Sequence, residues 1–142
     1  MIRKKFKKIL VPLDGSKNSI RGLDNAISIA RACQATVTGI YILPVYPRNV
    51  VDAVIPYFIH PEKEAKKFLA DAKKRAAQKG ILFKWKIVWG SPVSEIQDMT
   101  KSKKFDLIVI GARGMGSVKE LFLGSVSNAI VHKSKIPVMV VK

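Results

Sequence analysis

Five short apolar segments alternate with stretches of helical periodicity along this chain of 142 residues. Near-continuous apolar runs of this length are typical of strands that are buried on both faces of a parallel sheet. Parallel strands need long crossover connections, and helices that make right-handed crossovers cover both faces of the sheet. The pattern therefore predicts an α/β fold, a three-layer doubly wound domain whose five-stranded parallel sheet has strands at 8–13, 36–43, 81–89, 107–110 and 136–141.

The connections between the predicted strands carry helix signals. Ser16 is placed to cap the first helix, in which Leu23 and Ile27 recur on one face. Pro44 to His60 is rich in proline and predicts a long irregular connection before the second helix. The same spacing rules predict four helices in all, over 16–34, 61–80, 92–103 and 125–134.

Length and composition indicate a single domain over residues 1–142. The chain is 48% apolar and 25% charged, which is typical of globular proteins, and it has no apolar run near the roughly 20 residues that cross a bilayer. The apolar run after the basic start is broken by Pro12 and is too short for a secretory signal. We therefore expect a cytoplasmic protein without a membrane segment.

The charge is strongly positive, with 26 Lys and Arg against 10 Asp and Glu, a net charge of +16. Such a field attracts nucleotides, nucleic acids and other acidic partners. The basic residues mostly occupy predicted solvated helix faces, and core packing explains Phe6, Phe68 and Phe105, whereas base stacking needs exposed aromatic side chains among the charges. We therefore favour the interpretation that the basic residues form solvated helix faces over one in which they form a dedicated nucleic-acid surface. The alternative is a nucleotide-independent interaction module whose basic surface binds RNA or another acidic partner.

Two glycine-containing turns follow predicted strands. Asp14-Gly15-Ser16 comes after the first strand, and Gly111-Ala-Arg-Gly114 follows the fourth, with Gly124-Ser125 at the start of the last helix. Glycine lets the backbone approach an anion closely, and a helix start presents N–H groups to phosphate. Strands one and four are neighbours in most sheet orders compatible with the pattern, and ligands bind at the carboxyl ends of such strands. The two turns are expected to form one nucleotide site.

Other phosphate and metal signatures do not match. No segment has the Walker A pattern, and the dinucleotide fingerprint fails because Lys119 stands where its last glycine is required. His60 and His132 lack Cys or carboxylate neighbours at ligand spacing, which argues against zinc. Taken alone, Asp14 is also a common turn residue and Gly124-Ser125 a common helix cap.

The spacing Gly111-x2-Gly114-x9-Gly124-Ser125 resembles the motif that marks the ATP-binding branch of the universal stress protein family. Lys8 to Ser16, Asp106 to Gly111 and Ser134 to Lys142 are similar to other parts of that family, so the resemblance extends along the whole chain. It implies a Rossmann-like fold of the adenine nucleotide alpha hydrolase kind with strand order 3-2-1-4-5. It also implies a homodimer paired through Val138 to Val141.

The resemblance further implies a set of ligand-binding residues and a role. Adenine would lie against Pro12 and the backbone near Ile42, and the ribose against Asp14 and Gly111. ATP, ADP or AMP would be bound together with Mg²⁺ or Mn²⁺, which Asp14 would help to hold. Because hydrolysis needs a positioned water and usually a base, and no base is evident, we expect a regulatory stress-response protein that is at most a slow or partner-dependent ATPase. The phosphates would be held by Arg113, Gly114, Gly124, Ser125, Ser127 and Asn128.

Overall fold

A computed structural model describes residues 6–45, 61–114 and 123–142. Its strands are β1 (Lys8–Leu13), β2 (Thr36–Leu43), β3 (Phe83–Trp89), β4 (Leu107–Gly111) and β5 (Val138–Val141). Its helices are α1 (Lys17–Cys33), α2 (Pro61–Ala77), α3 (Pro92–Ser102) and α4 (Ser125–Lys133). Strands and helices alternate along the chain except where 46–60 and 115–122, outside the described residues, intervene.

The five strands form one parallel sheet in the order β3-β2-β1-β4-β5. The predicted fold class and strand order are confirmed. From β1 the chain adds strands towards one edge, and after β3 it crosses back to add β4 and β5 at the other. The order therefore reverses between β1 and β4, where Ile9 lies opposite Leu107.

The sheet separates two hydrophobic cores. Ile9 and Val11 of β1 point into the core beneath α1 and α2, whereas Leu10 points into the core beneath α3 and α4. Successive residues of a strand face opposite sides of a sheet, so a strand that is covered on both sides must be apolar at every position. This double burial explains the continuous apolar run of the first strand.

Two predicted strands begin later than expected. Ile81 and Ile136 belong to the preceding turns: the Ile81 amide donates to the Ala76 carbonyl at 3.0 Å, and the Ile136 amide donates to the Ser134 hydroxyl at 3.1 Å. The second helix likewise ends at Ala77 rather than near Gly80. The predicted strands begin too early because Ile81 and Ile136 are apolar although they belong to turns. In the described part of the chain, no helix is both long enough and apolar enough to span a membrane.

The start of α1 packs directly on the end of β4. A Cβ atom added to Gly111 would lie 2.8 Å from the carbonyl carbon and oxygen of Asn18, closer than packed atoms tolerate. One turn later Gly22 faces the same backbone, and its added Cβ would be 3.4 Å from the Gly111 amide nitrogen. The absence of a side chain at position 111 thus allows the first helix to reach the point where the strand order reverses.

Candidate functional site

A cleft of about 720 Å³ opens at the carboxyl ends of the strands, where the strand order reverses. Its size lies within the usual range for small-molecule and cofactor sites, roughly 300–1,000 Å³. The predicted site residues that line the cleft are Pro12, Asp14, Ile42, Gly111, Arg113, Gly114, Gly124, Ser125 and Ser127. Asn128 is not among the lining residues and lies exposed on α4.

Asp14 lies at the centre of this arrangement. Its Oδ1 accepts a hydrogen bond from the Ser16 amide at 2.9 Å, and its carbonyl oxygen accepts one from the Tyr41 hydroxyl at 3.2 Å. Gly15, with a φ of 85°, makes the turn that allows both contacts. On the other side, a Cβ atom added to Gly114 would overlap Oδ2 of Asp14. The turns after β1 and β4 therefore meet at this carboxylate, as the sequence predicted.

Ala112, the residue after β4, holds the start of α4 through hydrogen bonds. Its carbonyl oxygen accepts from the Gly124 amide at 2.6 Å and from the Ser127 hydroxyl at 2.7 Å. Its own amide donates to the Val141 carbonyl at 2.7 Å, which ties the same residue to β5. Ser127 is only 2% exposed, so its hydroxyl proton is committed to the protein. Its side chain holds the helix start in place.

The start of α4 faces the cleft with its backbone. Gly124 is the N-cap residue, and its amide is engaged by Ala112. Ser125, Val126 and Ser127 occupy the first three helical positions, where an amide has no acceptor within its own helix. Partial positive charge accumulates at such a helix start. This end of the cleft suits an anionic group.

The opposite end of the cleft is apolar. Pro12, Ile40 and Ile42 form one wall, and Ile96 and Trp89 extend it. The Trp89 side chain is 48% exposed, and its indole N–H donates to the Glu62 carboxylate at 2.9 Å. Apolar walls of this kind suit an aromatic ring.

The lining residues that were missed from the sequence include Tyr41, Glu64 and Trp89. Tyr41 and Trp89 were detectable in principle because they lie near the carboxyl ends of β2 and β3, at the ligand-binding edge of the sheet. Glu64 had no such signal. It reaches the cleft from the first turn of α2, and only the packed structure places that helix.

Burial raises the pKa of Tyr41, and the nearby carboxylates of Asp14 and Glu64 raise it further. Below the ordinary tyrosine pKa of 10.0 the hydroxyl is protonated in both the folded and the unfolded chain. Above that pH the unfolded chain ionises first, so the unfolded state becomes favoured. The contribution of Tyr41 to stability is therefore complete below pH 10 and is lost as pH rises through its raised folded-state value.

Replacement of Tyr41 by phenylalanine is accordingly expected to flatten the decline in stability above pH 10. Urea unfolding at a series of pH values from 8 upwards measures this decline in the original chain and in Tyr41→Phe. Below pH 10 the variant should be less stable by about 1 kcal/mol, because the hydrogen bond to the Asp14 carbonyl is lost. Parallel curves for the two proteins above pH 10 would contradict the assignment.

The fold and the cleft together define a doubly wound α/β protein with a cleft at the switch point of the sheet, the place where such folds bind ligands. The model of the Universal stress protein family matches residues 5–142. The chain belongs to this family, which confirms the predicted family, while its place in the ATP-binding branch stays a prediction.

Relatives of known sequence and structure match along nearly the whole chain. Universal stress protein YxiE from Bacillus subtilis is 33% identical over 150 residues, covering 96% of this chain and 99% of that protein. The structure of UspA from Lactobacillus plantarum has a TM-score of 0.88 at 28% identity, covering 99% and 100% of the two chains. A universal stress protein solved in complex with cAMP has a TM-score of 0.72 at 26% identity, covering 98% of each.

Proposed function

We propose that this universal stress protein binds an adenine nucleotide, with ATP as its ligand, and that the bound nucleotide governs a regulatory role in the stress response. The observation that carries the proposal is the meeting of Asp14 and Gly114 at the switch point, between an apolar wall and a helix start. The relative solved with cAMP supports an adenine nucleotide as the class of ligand.

The apolar end of the cleft would take the base and Asp14 the sugar. Adenine fits against Pro12 and Ile42, which are apolar and only partly exposed. The Asp14 carboxylate would accept hydrogen bonds from the ribose hydroxyls, since the contact with Ser16 holds it in one orientation. Gly111 also lines the cleft and would adjoin the sugar.

The other end would take the phosphates. Arg113 supplies positive charge, Gly114 lets the backbone approach, and Ser125 adds a hydroxyl to the amides at the start of α4. In the proposal, Gly124 and Ser127 hold this helix start against Ala112 rather than contact the ligand through the amide and hydroxyl already engaged there. Asn128 is left out of the site because it does not line the cleft.

A divalent cation would depend on the nucleotide. Among the described residues, no group of three or more His, Cys, Asp or Glu side chains is arranged to hold a metal ion. Mg²⁺ is commonly held by one or two carboxylates together with substrate phosphates, and Asp14 is a carboxylate that lines the cleft. We therefore assign Mg²⁺ or Mn²⁺ to the phosphates with Asp14 as the protein ligand.

Turnover is proposed to be slow or to depend on a partner. Hydrolysis needs an oriented water as well as charge stabilisation. Asp14 and Glu64 are the carboxylates of the described chain that line the cleft, and Asp14 is already assigned to the ribose and the cation. Binding is therefore the function that the cleft supports best.

A homodimer paired through β5 is also proposed. β5 is an edge strand, and Met139 within it is 39% exposed. An apolar edge strand is a surface that pairs with another strand. Sedimentation velocity tests this part of the proposal, and a mass of one chain at micromolar concentrations would contradict it.

Calorimetric titration of the purified protein with ATP and Mg²⁺ tests the nucleotide site, and mass spectrometry identifies any small molecule released from the protein on unfolding. We expect binding at millimolar ATP or below and a released adenine nucleotide. The proposal is contradicted if the purified protein neither releases nor binds ATP, ADP or AMP. GTP under the same conditions is the control for base recognition.

A further inference from the structure

The four helices of the described ranges all end at the side of the sheet opposite the cleft, and the last turn of each carries basic residues. Arg31 lies in the last turn of α1, Lys74 and Arg75 in that of α2, Lys101 in that of α3 and Lys133 in that of α4. All five side chains are exposed. A cation near a helix end is favoured by the partial negative charge of the last carbonyl groups, which accounts for about one such residue per helix.

The starts of the strands add further lysines at the same side. Lys7 precedes β1 and Lys8 begins it, Lys84 is the second residue of β3, and Lys103 and Lys104 precede β4. Lys103 is the C-cap residue of α3 and Lys104 follows it, but Lys7, Lys8 and Lys84 adjoin no helix end in the sequence, so the macrodipole does not explain these three. We call this surface, formed by the last turns of the helices and the first residues of the strands, the basic pole.

Acidic residues do little to neutralise the basic pole. Within the described parts of the chain, Asp106 is the carboxylate that lies at the strand starts, and it accepts from the amides of Lys7 and Lys8 at 2.9 and 3.0 Å. Like charges concentrated on one surface repel each other. A polyanion that neutralises them is the complementary partner.

A recess on this side of the molecule lies between the ends of α1 and α2. It is about 440 Å³ in volume and is lined by Arg31, Arg75 and Lys79, with Asp24 at its side. Asp24 accepts from Nε and Nη2 of Arg75 at 2.5 and 2.8 Å, which fixes that guanidinium. Arg31 and Lys79 bring charge beyond this pair, and the concave shape suits a phosphate group better than a flat surface does.

An exposed aromatic side chain lies on the same side of the sheet as the recess. Trp85 is 40% exposed on the edge strand β3 and faces the α1 and α2 side, as Phe83 does, whereas its sequence neighbours Lys84 and Lys86 face the other side. The phenylalanines weighed from the sequence do not meet the requirement for base stacking, but this tryptophan does. Positive charge with exposed aromatic rings is the combination that binds single-stranded nucleic acid without strong sequence preference.

We propose that the basic pole binds single-stranded nucleic acid. Arg31 and Lys79 contact its phosphates on the side of the sheet where Trp85 stacks on a base, and Lys84 contacts a phosphate on the other side of the edge strand. The recess lies between the last turns of α1 and α2, at the opposite end of these helices from the nucleotide cleft. Both ligands are therefore bound at once, and each is tested without the other.

Fluorescence anisotropy with a labelled single-stranded RNA of mixed sequence tests the proposal. One variant carries Arg31→Gln, Lys79→Gln and Lys84→Gln. The matched control carries Lys63→Gln, Lys66→Gln and Lys67→Gln, three exposed lysines of α2 nearer its cleft end, and has the same net charge. The first variant should bind at least tenfold more weakly, and its slope of log affinity against log salt should fall by about 2, as for three lost phosphate contacts.

The tryptophan is tested separately. Trp85→Ala should weaken RNA binding at least fivefold with the salt slope unchanged, because stacking releases no counterions, and Trp85→Phe should restore most of the affinity. The glutamine variants alter exposed side chains only, so they keep the test decisive should Trp85→Ala fold poorly.

Three results would overturn the proposal. Equal weakening by the two triple variants would show attraction by net charge alone. Displacement of RNA by saturating ATP and Mg²⁺ would place the RNA in the cleft. Binding of phosphatidylserine vesicles that is lost in the first triple variant, together with RNA binding that is not, would make a membrane surface the partner.

Discussion

Asp14→Ala is expected to weaken ATP binding by roughly 10- to 100-fold, the range that corresponds to losing hydrogen bonds to a charged group. The carboxylate lies where the turns after β1 and β4 meet, with Ser16 fixing one oxygen and Gly114 adjoining the other. Alanine removes the acceptor for the ribose and the proposed ligand of the cation. Calorimetric titration with ATP, in the presence and in the absence of Mg²⁺, measures the loss.

Asp14→Asn is the matched control for that experiment. Its side-chain oxygen still accepts from the Ser16 amide, so the turn is kept while the charge is removed. We expect an intermediate affinity and a smaller dependence on Mg²⁺. If Asp14→Ala binds ATP as tightly as the original chain, the carboxylate has no part in the site.

Gly111→Ala is expected to lower the free energy of unfolding by about 1–3 kcal/mol, as overpacking of a tight contact does. The added methyl group would meet the backbone of Asn18 at 2.8 Å, and a backbone segment cannot rotate away as a side chain can. For a domain of this size the melting temperature should fall by roughly 2–4 °C for each kcal/mol. Thermal and urea unfolding measure both quantities.

The same change should also weaken ATP binding, because the start of α1 and the turn at Gly114 move apart. Gly22→Ala is the control. Gly22 lies within α1 and packs against the same backbone, but its added Cβ would lie 3.4 Å from the Gly111 amide nitrogen, an ordinary contact distance. Alanine is favoured over glycine inside helices by up to about 1 kcal/mol, so this variant should be unchanged or more stable. Equal stability of Gly111→Ala and the original chain would contradict the packing argument.

The sheet was predictable because central strands have a simple signature. Double burial makes β4 apolar at every position and β1 apolar at every position after Lys8, and periodic helices between the strands leave few topologies. The edge strand β3 was harder to interpret, since Lys84, Trp85 and Lys86 are all exposed and produce no clean alternation. Its start was misplaced because Ile81 is apolar while closing the preceding helix.

The parts of the candidate site that lie in turns directly after strands were predictable from the sequence. The side chains that reach the cleft from distant elements were not. Asp14 and Gly114 were predictable because each lies in a turn that follows a strand identified from the sequence. Glu64 and Trp89 enter the cleft through packing of α2 and β3, which no local pattern encodes. Ser127 shows a third case, in which the residue lies at the expected place but its hydroxyl is turned to the Ala112 carbonyl.

The charged side chains make the molecule an electric dipole, opposite in sign to the helix macrodipoles. Acidic side chains, Glu62, Glu64 and Glu95, begin the helices at the cleft end, while the basic pole occupies the far end. In the field of any polyanion such a body turns its positive end inward before contact is made. With a polyanion bound at the basic pole, the proposed nucleotide cleft faces solvent, and we expect nucleotide exchange there to continue on the anchored protein.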